Sequence, residues 1–411
     1  MAQHVDVIVV GAGLAGLNAA QLIHAGGRSV LVLEAADAIG GRVRTDEVDG
    51  LQLDRGFQIL NPAYPELQRL GILEELDLRP FDAGVMIALE DGIRRIGDPR
   101  RRPQWLLSSI TAEIGDLRAK ARMIATLGRI WLQGSLDNPI ARSGSVADAL
   151  QLDGIHGHVY ERALRPFLTG VFLDDPAHVA AGYGDFVLRS LVAGTPAVPA
   201  RGMGALPRAL ALRLPDDAIR TGVRVHEVAP GRVTSDAGEF TADAVVVAVD
   251  PATARRWFPG MEVPETLACT TWYHVTDEAP TEDRAILVDG LRRGPVVNSV
   301  AISKVAPGYA SRGRTLMAST VLGEAGTSDD EALVRSHLAT MWGVDTAAWE
   351  TVRADVVSQA LPRLAVGAPM FRPTVVDDRL WLAGDHRDTP SQQGALLSGR
   401  RVGEAVLRAL R

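Results

Sequence analysis

Residues 5–45 read VDVIVVGAGLAGLNAAQLIHAGGRSVLVLEAADAIGGRVRT, and the rest of the chain is organised around this run. Val5 to Val10 is almost wholly apolar, the pattern of a strand buried on both faces. It breaks at Gly11, Gly13 and Gly16 and reopens as a helix through Leu17, Ala20 and Leu22, which Gly26 and Gly27 end. Gly11 permits the tight turn, Gly13 lets a pyrophosphate approach the backbone, and Gly16 lets helix and strand pack closely. The helix N-terminus offers free N–H groups and the positive end of a dipole. Ser29 to Leu33 reads as a second strand. Glu34 at its tip follows Gly13 by 21 residues, where a carboxylate can bind ribose hydroxyls. Strand, helix, second strand and acid together predict a dinucleotide site built from Gly11, Gly13, Leu14, Ala15, Gly16, Glu34 and Ala35.

Six residues beyond Glu34 stand Gly40, Gly41 and Arg42, with Arg44 and Thr45 following, an addition that a simple nicotinamide-binding domain does not need. In this the segment resembles the superfamily of flavin-containing amine oxidases, phytoene desaturases and protoporphyrinogen oxidases, which carry a glycine turn, a strand-end Glu and then a G-G-R pattern. The resemblance implies FAD, with Gly41 and Arg42 at its phosphates. It places the turn Asp54-Arg55-Gly56-Phe57 beside the flavin ring, with Gly56, Phe57 and Gln58 facing ring or substrate, and gives Val225 backbone hydrogen bonds to adenine. The closing segment is a second match: Leu380-Trp381-Leu382-Ala383-Gly384-Asp385 reads as a strand ending in Gly-Asp, and Pro390-Ser391-Gln392-Gln393-Gly394-Ala395 opens the last helix. The resemblance puts Gly384 and Asp385 at the ribityl or phosphate region. It puts Gly394 and Ala395 under the ring, where a helix dipole favours acceptance of a hydride, and counts Gln393 among the cofactor-binding residues.

The chain has 411 residues, more than one hydrophobic core usually holds, so two lobes are expected. A formal charge of −7 gives no support for a nucleic-acid partner. The single cysteine, Cys269, excludes an internal disulfide and a cysteine-based metal cluster, and no metal-ligand spacing is present. It suits a reducing, cytoplasmic setting, and its distance from both glycine-rich segments implies that FAD is held noncovalently. The apolar first twenty residues lack a basic leader, and cleavage there would destroy the nucleotide strand, so no signal peptide is expected. No run is long and apolar enough to predict a spanning helix.

The expected fold is α/β: a Rossmann-type, GR2-like FAD-binding domain from residues 1–80, 200–265 and 355–411, with a discontinuous α+β substrate domain from 81–199 and 266–354. Glu90-Asp91-Gly92 marks a hairpin between residues 84–89 and 93–96 at the entry to the second domain. Residues 98–193 then read mostly as helices, and the strands at 270–275, 285–288, 296–302 and 315–321 as that domain's sheet. Pro65 to Leu76 reads as a helix, and strands are expected across 219–228, 232–235 and 244–249. Arg100-Arg101-Arg102 before Trp105, Leu106 and Leu107 raises peripheral contact with an anionic membrane. The competing reading is a solvated charge run over a core stripe.

The resemblance implies an FAD-dependent oxidoreductase that removes a hydride from a largely apolar small molecule, with oxygen or a quinone as the later acceptor. Flavin amine oxidation is the alternative within the class. Lys304 is the one lysine able to stand for the flavin-adjacent lysine of amine oxidases, and its setting Ser303-Lys304-Val305-Ala306-Pro307 reads as a loop with a solvated side chain. From another class, GDP-dissociation-inhibitor proteins share this architecture as binding modules for prenylated partners. No catalytic acid/base constellation is evident.

Overall fold

The computed structural model describes residues 3–98, 101–112, 114–132, 136 and 142–411. Its first sheet is built on the strand Gln3–Val10, which lies parallel to Val30–Leu33 on one side and to Gly238–Val247 on the other. Val7, Ile8, Val9 and Val10 are at most 3% exposed, which is why the strand is apolar without alternation. The sheet has eight strands, with Ile219–Arg220 beyond Val30–Leu33, and with Leu380–Leu382 parallel to the end of Gly238–Val247. An antiparallel meander through Val225–Ala229 and Arg232–Ser235, and Val375–Asp377 antiparallel to Leu380–Leu382, complete it. The first helix, Leu14–Ala25, packs against the last, Gln392–Ala409, so tightly that a Cβ at Gly399 would lie 2.3 Å from the Ala15 carbonyl oxygen.

A second sheet of seven strands runs in the order Glu350–Pro362, Thr266–Thr276, Thr315–Leu322, Val296–Ala301, Ile286–Asp289, Gly84–Leu89, Gly92–Gly97. The chain therefore enters and leaves this layer twice. Between the visits it forms the helices Leu106–Thr111, Leu117–Leu132, Val146–Leu152, Arg165–Phe172 and Ala181–Ala193. The inward faces of the last four share one apolar cluster centred on Leu168, Phe172, Tyr183 and Phe186.

Four local expectations change. The helix from Pro65 stops at Leu70, because Gly71 adopts φ 64° and closes it with a left-handed cap. The stretch 219–228 is two strands in different parts of one sheet, since Gly222 at φ 69° redirects the chain between them. The long strand Glu350–Pro362 mixes charged and apolar residues because it is only half-buried, and the expected division at 354/355 falls inside it. Lys304 lies in a short helical turn, Ile302–Val305, rather than a loop.

Candidate functional site

A cavity of about 580 Å³ opens along the carboxyl ends of the parallel strands and continues between the two sheets. This is where an open α/β sheet receives its ligand, because strand ends and helix N-termini leave backbone polar groups free there. It is lined by Gly11, Gly13, Leu14, Ala15, Glu34, Ala35, Gly41, Arg42, Gly56, Phe57, Gln58, Val225, Gly384, Asp385 and Ala395. Segments more than 370 residues apart in sequence thus meet on one surface.

The glycine turn packs closely on one side and leaves open space on the other. Gly11 has φ +103°, and a Cβ there would sit 2.5 Å from the Ala248 carbonyl oxygen; one on Gly16 would sit 2.0 Å from the Gly11 carbonyl oxygen. Gly16 therefore packs helix on strand and does not line the cavity. At Gly13, the N-cap of the first helix, an added Cβ would meet nothing within 4 Å, so this position borders open space. The Glu34 carboxylate is held at the strand tip by the N–H groups of Ala12 at 2.7 Å and Ala36 at 2.8 Å, which aim it before any ligand arrives.

Arg42, expected at the phosphates, and Asp385, expected at the ribityl or phosphate region, are partners. Arg42 Nη2 donates to Asp385 Oδ1 at 2.6 Å and Nη1 to the Ala360 carbonyl at 2.9 Å. The pair ties the Gly-Gly-Arg turn to the Gly-Asp segment, and both residues still border the cavity. Gln58 adds a second tie, with Nε2 donating to the Arg42 carbonyl at 2.8 Å. The Phe57 N–H is used by Thr271 Oγ1 at 2.9 Å, fixing this turn to the second sheet. Beneath it Asp54 is fully enclosed, accepting from Thr45, Tyr309 and the Met203 N–H. Burial outweighs these bonds and pushes its carboxyl up to about 6.

The start of the last helix corrects two expectations. Gln393 and Gly394 do not line the cavity; Pro390, Ser391, Gln392 and Ala395 do. Successive helical residues turn by about 100°, so 392 and 395 share a face that 393 and 394 cannot share. Gln393 points into the core, where its Oε1 accepts from the Glu66 N–H at 3.0 Å. The Gly394 N–H is taken by Ser391 Oγ at 3.0 Å, and a Cβ there would overlap the Thr389 carbonyl oxygen at 1.9 Å. Gly394 is thus a packing residue and offers no free N–H to an anion.

Several lining residues lay outside the sequence reading. Asp250, Thr253 and Trp257 follow the apolar run Ala244 to Val249, and a buried parallel strand ending in Asp is a signal that could have found them. Asp250 caps the next helix through the Thr253 N–H at 2.9 Å. Tyr64, Tyr183 and Phe186 form an aromatic wall, with Tyr64 and Phe186 stacked at 6.1 Å; burial pushes the Tyr64 phenol up to about 12. Cys269, expected far from the cofactor, borders the cavity. Burial pushes its thiol up to about 11, which keeps thiolate scarce at neutral pH. Lys304 does not border it; its Nζ donates to Glu282 at 2.7 Å.

The model of the family described as flavin containing amine oxidoreductase matches residues 14–407. The chain belongs to this family. FAD is the cofactor that the family carries, and the open turn at Gly13, the aimed Glu34 carboxylate and the cavity continuing past Asp385 fit it. Among similar proteins, putrescine oxidase of Kocuria rosea is 29% identical over 60% of this chain and 57% of its own length. Hydroxysqualene dehydroxylase of Rhodopseudomonas palustris is 27% identical over 98% of both. The chain spans about half the length, or less, of the first curated relatives it matches. An oxidoreductase from Methanosarcina mazei has the same fold, with a TM-score of 0.75 at 17% identity over 97% of this chain and 100% of that one.

Proposed function

We propose that this flavin family member is an oxidoreductase that takes a hydride from a carbon of a largely apolar small molecule. The supporting observation is the continuity of one cavity from the glycine turn to an apolar wall of Phe167, Val171, Ile286 and Val288. Bound FAD supplies the two-electron acceptor for that hydride, and oxygen or a quinone takes the electrons onward. The backbone at Gly13, Leu14, Ala15 and Gly41 would receive the pyrophosphate, Glu34 and Ala35 the adenosine ribose, and Val225 the adenine. Arg42 would face the phosphates, Gly384 and Asp385 the ribityl or phosphate region, and Gly56, Phe57, Gln58 and Ala395 the ring. The apolar wall aligns the substrate and excludes water, and neither task needs a proton-transferring side chain.

Amine oxidation is the second reading, favoured by the similarity to putrescine oxidase. Against it, no lysine lines the cavity among the described residues. Purified protein should be yellow and release its colour on acid precipitation. Lys304→Met should leave flavin reduction and reoxidation within about twofold of wild type in stopped-flow experiments. A loss of roughly tenfold or more, joined to fast reduction by simple amines, would reverse the preference. A colourless protein that cannot be reconstituted with FAD would instead support a binding module.

Peripheral membrane contact belongs to the same proposal. No described helix is long and apolar enough to cross a membrane. Trp105 is buried, and Arg102 lies over its ring at 5.3 Å while pairing with Asp82; Arg100 lies outside the described residues. The outward surface is instead Leu106, Leu107 and Ile110 with Ile124, Trp131 and Leu132, beside exposed Arg118 and Arg122. Helix Leu117–Leu132 packs on Ala181–Ala193, which lines the cavity, so a lipid surface held by the former helix would lie one helix layer from the site. The protein should co-sediment with vesicles of phosphatidylcholine and phosphatidylserine. Leu107→Asp/Leu132→Asp should abolish this; equal sedimentation of variant and wild type would defeat the idea.

A further inference from the structure

The second sheet turns one face toward the cavity, and two polar side chains stand on that face. Asn298 and Thr320 are opposite each other on neighbouring strands, and both line the cavity. Asn298 is 6% exposed and Thr320 4%. Neither Asn298 Oδ1 nor Thr320 Oγ1 has a hydrogen-bond partner in the protein. A buried polar atom is nearly always satisfied, because leaving it unpaired forfeits its hydration without return.

The next pair along the same strands shows the contrast. Ser299 and Ser319, pointing to the other face, lie 2.9 Å apart, and Ser299 also accepts from Trp342 Nε1 at 3.0 Å. The unsatisfied pair is thus confined to the cavity side. The helix Arg165–Phe172 crosses above it, and a Cβ on Gly170 would come within 2.7 Å of Asn298 Nδ2. The amide keeps its place because position 170 has no side chain. Around the pair the wall is Phe167, Val171, Ile286 and Val288. None of the charged residues lining the cavity belongs to this sheet or to the helix above it.

We propose that Asn298 and Thr320 bind a neutral hydroxyl group carried by an otherwise apolar substrate. A hydroxyl donates to Asn298 Oδ1 and accepts from the Thr320 hydroxyl, so it satisfies both orphans at once. An ether oxygen only accepts. An ammonium group donates but would lose its hydration here with no carboxylate on this wall to offset the loss. This deepens the oxidoreductase reading and rests on it.

The test uses the FAD-loaded protein with three matched probes: geraniol, geranyl methyl ether and geranylamine. Binding is followed by perturbation of flavin absorbance and by calorimetry. Geraniol should bind roughly 10- to 100-fold more tightly than the ether, because the ether leaves an acceptor unpaired. Asn298→Leu should lower geraniol to the level of the ether and leave the ether within about twofold, whereas Thr320→Val, which removes the donor that both oxygens use, should weaken geraniol and the ether by a similar factor. Thr320→Val should also raise the melting temperature of the substrate-free protein, by about a degree or more, since it removes an orphan and keeps the shape. A residue there only to hold the fold would show a fall.

Equal binding of alcohol and ether, tighter binding of the amine, an alcohol preference that survives Asn298→Leu, or a yellow protein that binds none of the probes would each overturn the proposal. A protein that cannot hold FAD would fail the oxidoreductase reading instead. The calorimetric preference for alcohol over ether, measured on that same protein, would still decide for or against the Asn298–Thr320 site.

Discussion

Asp385→Ala is expected to strip most of the flavin from the purified protein, whereas Asp378→Ala leaves it at the wild-type level. Both substitutions remove one carboxylate from the closing segment, so a general charge effect would act on them alike. Asp378 is exposed beside a strand end, while Asp385 is 4% exposed on the cavity wall. Without Asp385, Arg42 loses its charged partner and keeps only the Ala360 carbonyl. The guanidinium is then free to swing, and the tie between the two ends of the chain is cut. A hydrogen bond to a charged group contributes about 1.5–3 kcal/mol, which is roughly 10- to 150-fold in affinity. The ratio of flavin to protein absorbance after extensive dialysis reads the difference directly. Equal flavin content in the two variants would place the C-terminal contact elsewhere.

Gly13→Val and Gly16→Ala should separate binding from folding. At Gly13 an added Cβ meets no protein atom within 4 Å and borders the cavity. The backbone there, φ −74° and ψ 178°, is open to any residue. The variant should melt close to wild type in its flavin-free form, within about 1 kcal/mol for a poorer N-cap, and hold almost no flavin. At Gly16 even a methyl group would lie 2.0 Å from the Gly11 carbonyl oxygen, so helix Leu14–Ala25 must move off its strand. That overpacking should cost about 3 kcal/mol and appear as low soluble yield and a lowered melting temperature. Wild-type flavin content in Gly13→Val, or wild-type stability in Gly16→Ala, would show the turn to be built differently.

Much of the first lobe was legible because its constraints are local. A buried parallel strand must be apolar along its length, and a turn that carries backbone against backbone must be glycine. Val7 to Val10, Gly11 and Gly16 satisfy these rules within a dozen residues of each other. The Gly-Asp strand end and the helix after it were legible on the same terms. The phase of that helix was not: the motif marks Gln393 and Gly394, but which side of the helix meets the cavity depends on where it docks. Docking turned both residues inward.

By itself, then, the sequence determined a Rossmann-type first lobe, a chain that returns to it twice, and the glycine turn and strand-end acid that bring Gly13 and Glu34 to one cavity. The tertiary structure alone decided that Arg42 pairs with Asp385, that Cys269 and not Lys304 borders the cavity, and that Asn298 and Thr320 face it with unpaired atoms. The physical reason is range. Periodicity and glycine sterics act between near neighbours and leave their mark in consecutive residues. A cavity wall is assembled from strands that meet only after folding, and its side chains are selected by what lies across the gap.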